Sequence, residues 1–441
     1  MKTWRSVLDP QRRADALATA REVIVRVTDP ERLSAAIEAA GEQTWSPQTF
    51  RWRPCSVAEG EAGLAVLCAY AHACLPEEGW DVVAHDYLRA AVRGAERESG
   101  VACGLFEGVS GLAFVASALS RDGERYSRLL ASLDAGLAPQ ASALGERLRL
   151  SEQAVPVSYF DVISGASGVG AYLLRRDVHR VLPNILTGLV SLAEPQEAVP
   201  RWWTPPYLIG DESTARLYPQ GLLNCGLAHG VPGPLALLAL ALNAGVEVRG
   251  QRSAVRTLAD WIVSHRVDGQ WGLDWPSVVP IEPADGAPLS IGTETASSRT
   301  AWCYGSPGVA RSLWSAGQAL DDQELCQLAL EAMSAVLRRP VHQRGIESPT
   351  LCHGISGLLQ IVLRFWHDTN HDVFSTAARD LVDLLLTAYD PERYLAFASL
   401  GPGSLPVDRP GLLDGAAGVA ITLLAASTNT EPSWDRLFLM S

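Results

Sequence analysis

Charge is scarce in this 441-residue sequence: 19% of residues are Asp, Glu, Lys or Arg, below the roughly 25% of an average soluble domain, and 47% are apolar. Such a chain has ample material for a large core, and disorder is excluded as its dominant state. The basic sign is the scarcer one, with 36 Lys and Arg against 49 Asp and Glu and a formal charge of -13. That balance argues against a nucleic-acid footprint or an anionic membrane patch; a charged partner would be basic. No apolar h-region follows the start, which runs Met1-Lys2-Thr3-Trp4-Arg5-Ser6 and reaches Arg12, Arg13 and Asp15. The expectation is therefore no secretory signal and a cytoplasmic protein. Nor does any stretch approach the roughly 18 uninterrupted apolar residues of a membrane span, the longest lying around Leu235 to Leu242. Clustered cysteines are lacking as well. The eight (55, 68, 74, 103, 225, 303, 326, 352) are scattered through a chain read as intracellular, where disulfides are rare and any thiols that meet point to a metal or to catalysis.

What is present is a repeat. Gly-x-x-Gly followed by a small or apolar run occurs at 60/63, 108/111, 165/168, 230/233, 305/308, 354/357 and 415/418. The mean spacing, about 59 residues, holds two helices of three to four turns with their connections. The runs after the marks (Leu64 to Tyr70, Leu112 to Leu119, Val169 to Leu174, Leu235 to Leu242, Val309 to Leu313, Leu358 to Leu363, Val419 to Leu424) are apolar all round, as helices buried on every side must be. Between them lie amphipathic segments at 11–27, 84–98, 252–265, 322–337 and 375–388, the outer helices. Length alone allows two or three domains. The repeat instead predicts one all-α domain over 1–441, seven helical hairpins closed into an α/α toroid, with an open solenoid as the alternative. Closure is preferred because both terminal units keep the full mark and no polar capping repeat is present. The glycines are expected to let the backbone turn sharply into helix N-termini that share one rim. Two stretches fit poorly: 194–222, rich in Pro, Trp and charge, and 268–298, with Trp271, Trp275 and an Asp/Glu/Ser/Thr-rich end. They read as long loops or a small inserted lobe whose Trp and Pro either hold an extended peptide or pack down.

Registered on the first glycine, the preceding residues are Glu59, Glu107, Ser164, His229, Tyr304, His353 and Asp414, all polar, which predicts a ring facing a wet cavity. One position earlier stand Ala58, Phe106, Ile163, Ala228, Cys303, Cys352 and Leu413. Only units five and six carry Cys, 49 residues apart like Gly305 and Gly354, so both thiols occupy equivalent places on adjacent hairpins. With His353 they form a Cys-Cys-His set with no obvious fourth ligand, the pattern of an open zinc site. The other six cysteines lack this registration and read as structural. His229, in the ring of unit four, is suited to proton transfer near neutral pH, and Asp161 and Arg299 are rare charges near the marks that orient it, hold an anion, or serve as a cap and a surface ion pair. The remaining histidines (72, 85, 179, 265, 342, 367, 371) read as structural.

Four of these segments, Asp161-Val-Ile-Ser-Gly165-Ala-Ser-Gly168, Gly226-Leu-Ala-His229-Gly230-Val-Pro-Gly233, Arg299-Thr-Ala-Trp302-Cys303-Tyr304-Gly305-Ser-Pro-Gly308 and Leu351-Cys352-His353-Gly354-Ile-Ser-Gly357, stand in an order and spacing that strongly resemble the lanthipeptide (lantibiotic) synthetase C family, the LanC-type cyclases. The resemblance implies a seven-hairpin toroid that binds zinc through Cys303, Cys352 and His353, with His229, Arg299, Asp161 and Tyr304 lining the active site. Tyr304 after Cys303 resembles the bacterial stand-alone cyclases of class I pathways. The activity implied is addition of peptide Cys thiols to dehydroalanine or dehydrobutyrine, giving thioether rings. The partners implied are a dehydrated precursor peptide (leader plus core), with a dehydratase and an export transporter as further candidates. Cys225 and the first 50 residues depart from the pattern. Three other readings stay open: addition of a free thiol such as glutathione, a glycosidase using Glu59, Glu107 and Asp414, and a zinc-stabilised peptide-binding scaffold without catalysis. A glycosidase would not need the Cys-Cys-His set.

Overall fold

The computed structural model describes the chain apart from residues 1–2, 44–49, 121–122, 152–153, 177–179, 197–198, 285–286, 294–297, 347 and 401–404. Each glycine pair opens a helix buried nearly all round: Glu61–Cys74, Val109–Ala118, Ala166–Arg176, Pro232–Asn243, Ser306–Leu320, Ile355–Thr369 and Ala416–Ser427. Six of these are followed by an outer helix with one buried face: Trp80–Arg97, Ser127–Leu150, Leu182–Leu192, Gln251–Ser264, Gln323–Arg338 and Asp372–Thr387. The seventh takes its outer partner from the other end of the sequence. Helix Pro10–Thr28 packs on Ala416–Ser427, and Trp4 Nε1, Ser6 Oγ and Arg13 Nε donate to the carbonyls of Ala425, Ala426 and Ser427. Among the described residues no helix is long and apolar enough to cross a membrane.

Backbone hydrogen bonds close the ring. Val57 N–H donates to Phe106 O (2.7 Å), Phe106 to Ile163 (3.2 Å), Val162 to Ala228 (3.0 Å), Ala228 to Cys303 (3.3 Å), Cys303 to Cys352 (3.2 Å), Cys352 to Leu413 (3.0 Å) and Leu413 to Ala58 (3.2 Å). The bonds run through the one or two residues before each polar position and return to the first repeat, so the toroid is closed and the open solenoid is excluded. All seven inner helices start at this ring and run away from it.

The glycines are needed for a different reason than expected. Most first glycines have extended backbone open to any residue, as at Gly60 (φ -179°); the exception is Gly305, at φ 122°. What excludes a side chain is close approach. A Cβ on Gly60 would lie 1.8 Å from Arg53 O, and one on Gly168 2.0 Å from Val162 O, six residues earlier. The loop before each inner helix folds back over its first turn, leaving no room for a methyl group.

The barrel axis is filled by the segment after the last inner helix. The 3-10 turn Ser433–Phe438 sits among the inner helices, its Phe438 ring edge-on to Phe106 and Trp302. Trp302 Nε1 donates to Phe438 O, and buried Asp435 accepts from Gln360 and Arg364.

The two stretches that break the repeat meet each other. Strands Trp203–Thr204, Leu222–Asn224, Val278–Ala284 and Ala287–Ile291 form one antiparallel sheet in that order, with Leu223 opposite Val279. Trp202 and Trp275 are buried, while Trp203 and Trp271 donate to Gln220 O and Gln343 Oε1. Trp202 and Trp275 thus pack down, whereas Trp203 and Trp271 are tethered by their N–H groups and stay partly exposed. Much of the Ser/Thr-rich end of the second stretch, 294–297, lies outside the described residues.

Candidate metal centre and active site

The ring bonds fix what meets at the rim. Because Cys303 N–H binds Cys352 O, the two cysteines sit side by side, and the peptide after Cys352 brings His353 to the same place. One ligand atom from each of Cys303, Cys352 and His353 lies within 4.8 Å of the others. No other group of three or more His, Cys, Asp or Glu is poised for a metal among the described residues. The two thiols are shifted in opposite directions. A hydrogen bond from Cys352, and then one from His353, pulls the Cys303 thiol below its ordinary value against the effect of burial. Cys352, the donor of that bond and itself partly buried, is pushed well above it. The Cys303 contact also raises His353. Two sulfurs and an imidazole within 4.8 Å of one another suit a borderline-soft ion such as zinc, so the residues present fit the metal that the sequence pattern implied.

On the neighbouring repeats, His229 Nδ1 lies 2.7 Å from Asp161 Oδ2, and Asp161 Oδ1 accepts from the backbone N–H groups of Ser164 and Gly165 at 2.8 Å each. The glycine loop thus holds the carboxylate, and the carboxylate holds the imidazole. With Nδ1 engaged, Nε2 is left to exchange a proton. Tyr304, next to Cys303 in the sequence, has its ring centroid 6.4 Å from that of His229 and its hydroxyl pushed up to about 12, chiefly by burial. Arg299 is exposed, forms no ion pair among the described residues, and lowers the pKa values of Cys352 and His353 through its charge.

The profile of the lanthionine synthetase C-like protein family matches residues 51–439. The chain belongs to that family. It is 29% identical over 266 residues to the nisin biosynthesis protein NisC of Lactococcus lactis subsp. lactis, a match covering 59% of this chain and 62% of that protein. The match therefore spans less than two thirds of the relative. The fold is similar to that of the solved nisin cyclase, with a TM-score of 0.73 at 24% identity, covering 92% of this chain and 97% of that one.

In this lanthionine synthetase C-like chain every residue of the polar ring keeps some exposure while the residues on either side of it are mostly buried. Three of the seven, His229, Tyr304 and His353, are the candidate site residues described above. Of the others, Glu59 is pushed up to about 8 by burial and then by the charge of Asp414, although Arg409 Nη1 lies 3.9 Å away. Glu107 is exposed and pairs with Arg53 at 3.2 Å. A sequence reading misses Asn224. Its Nδ2 donates to the Tyr304 hydroxyl at 2.8 Å while its Oδ1 accepts from Gly226 N–H. It stands on a strand of the inserted sheet, six residues before Gly230 as Arg299 stands before Gly305, but the residue type at that register position varies too much from repeat to repeat to mark it. The six remaining cysteines stay apart from the metal cluster; Cys68 and Cys225 are fully buried with thiols raised by desolvation. Among the other histidines, His367 stacks on Trp4 and is pushed down to about 4 by burial, and His179 lies outside the described residues.

Proposed function

We propose that this chain is a zinc-dependent lanthipeptide cyclase, which adds Cys thiols of a dehydrated precursor peptide to its own dehydroalanine or dehydrobutyrine residues and forms (methyl)lanthionine rings. The observation that carries the reading is the meeting of the Cys303, Cys352 and His353 donors with the His229–Asp161 pair on one rim. The family membership and the relatives named for nisin biosynthesis support it. Cys303, Cys352 and His353 would hold the zinc ion, whose chemistry when bound is to keep an incoming sulfur as thiolate near neutral pH, where a free thiol of pKa about 8.5 is mostly protonated.

The protein's own groups do the rest. His229, oriented by Asp161, takes the thiol proton at Nε2 and returns it to the α-carbon after sulfur has bonded to the β-carbon. The balance closes: an S–H bond and a C=C π bond are lost, and a C–S bond and a C–H bond are made. Arg299, the Tyr304 hydroxyl held by Asn224, and the helix N-termini of the ring bind the carbonyl oxygen on which enolate charge develops. The reading keeps the protein in the cytoplasm, with a dehydratase and an export transporter as its expected neighbours.

Elemental analysis and a thiol assay on dehydrated precursor test it together. Wild type is expected to carry one zinc and to consume peptide thiols without a change in peptide mass. Cys303→Ala is expected to lose the metal. Full metal content in Cys303→Ala, or unchanged thiols with wild type, would sink the proposal, and complete ring closure by His229→Ala would remove the role given to that residue.

A further inference from the structure

Next to the metal cluster, on repeat seven, Asp414 presents a carboxylate oxygen with no donor. Its Oδ1 is sealed from water and accepts no hydrogen bond among the described residues, and His353 Nδ1 lies 3.3 Å away. The ring bond from Cys352 N–H to Leu413 O fixes this approach, because it ties the peptide before His353 to the peptide before Asp414. Asp414 is not a fourth ligand in this geometry, since its oxygens do not join the three donor atoms in their common 4.8 Å cluster. A buried acceptor without a donor is costly, and one facing a metal-ligand imidazole has an evident use.

We propose that Asp414 is a positioning residue of the metal centre, accepting the Nδ1 proton of His353 so that the imidazole is held at one tautomer and angle with its other nitrogen free for the ion. The inference rests on the cyclase reading only in taking Cys303, Cys352 and His353 as the ligands. A carboxylate behind the imidazole makes the ring a stronger donor and adds negative charge close to a cluster that Zn²⁺, two thiolates and a neutral His leave formally uncharged. A sulfur held there stays more nucleophilic. It also gives repeat seven, which contributes no ligand, a part in the site.

The test is zinc affinity by competition with a chromogenic chelator, measured on the full chain without peptide. Asp414→Asn is expected to bind zinc 10- to 100-fold more weakly than wild type, the range typical for loss of such a partner. The melting temperature of its metal-free form is expected to be unchanged. Asp414→Glu, which restores the carboxylate, is expected to recover part of the affinity, and it serves as the variant if Asp414→Asn fails to fold. Glu59→Gln, which alters the neighbouring side chain without removing a charge at neutral pH, is expected to bind like wild type. Wild-type affinity in Asp414→Asn, no recovery in Asp414→Glu, or an equal loss in Glu59→Gln would overturn the proposal. Failure of the zinc site itself is distinguishable, because Cys303→Ala would then retain metal.

Discussion

Replacing Asp435 by Leu removes the acceptor at the centre of the barrel. Its carboxylate has no exposure and accepts from Arg364 Nε at 2.5 Å, Arg364 Nη2 at 2.8 Å and Gln360 Nε2 at 2.7 Å. Arg364 is itself buried and keeps longer contacts, to Glu431 and to the Pro432 carbonyl at 3.3 Å each and to the face of the Trp4 ring at 5.0 Å. Removing one partner of such a pair strands a desolvated charge, at a cost of about 3–5 kcal/mol. Unfolding entropy of about 2.1 cal/mol/K per residue gives ~0.9 kcal/mol/K for 441 residues, so the expected drop in melting temperature is about 3–5 °C. Urea unfolding followed by circular dichroism measures the free energy directly. The double variant Asp435→Leu with Arg364→Met removes both charges and is expected to recover all but about 1 kcal/mol of the loss, since apolar replacement of a buried pair is often neutral. A single variant within about 0.5 kcal/mol of wild type, or a double variant worse than the single one, would refute the argument that the tail is held in the barrel by this pair.

Asp161→Asn is expected to leave metal content intact and lower the cyclisation rate by about 10²- to 10⁴-fold, the usual share of a proton-transfer group, with His229→Ala on top of it adding little; rates on dehydrated precursor check this. Glu59 gives a pH dependence of definite sign. Its folded value of about 8 exceeds its ordinary 4.5, so the folded state keeps a proton the unfolded chain has lost. Its contribution is full below pH 4.5 and is lost as pH rises to about 8, with a slope of at most about 1.4 kcal/mol per unit. Unfolding free energies of Glu59→Gln and wild type at pH 5 and 8 are expected to diverge in that direction, the wild type falling further. Gly305→Ala combines φ 122° with a Cβ 1.7 Å from Arg299 O, so about 1–3 kcal/mol of backbone strain is joined by a shift of the loop bearing Cys303, and metal affinity is expected to fall with stability. Gly79→Ala, at φ +76° with open space around it, is expected to cost only about 1–2 kcal/mol and leave metal binding unchanged.

The hairpin count and the inner helices were legible because a buried helix must be apolar all round, and the meeting of the three candidate ligands because Cys303 and Cys352 occupy one register position in adjacent units. The use of the glycines was read correctly and explained wrongly, since a crowding carbonyl six residues away leaves no mark in the sequence. Asn224 was out of reach for a related reason. Its partner Tyr304 is 80 residues away and the strand carrying it pairs with another insertion. Glu59 and Asp414 could be placed on the rim by register. That one stays protonated while the other lacks a donor depends on burial, which no spacing encodes.

The seventh hairpin is made from the two ends of the sequence, and the Trp4–Ala425 bond joins residues 421 positions apart. Contacts of such separation carry a large loop-closure entropy, and during synthesis they cannot form until residue 427 has been added. Repeats five and six, only 49 residues apart, face no such delay. The candidate metal ligands are therefore expected to meet early in folding and the ring to shut last. A closed ring also has no end repeat from which to fray, so the amides of Cys303 and Cys352 are expected to exchange with solvent only through openings that break the circle.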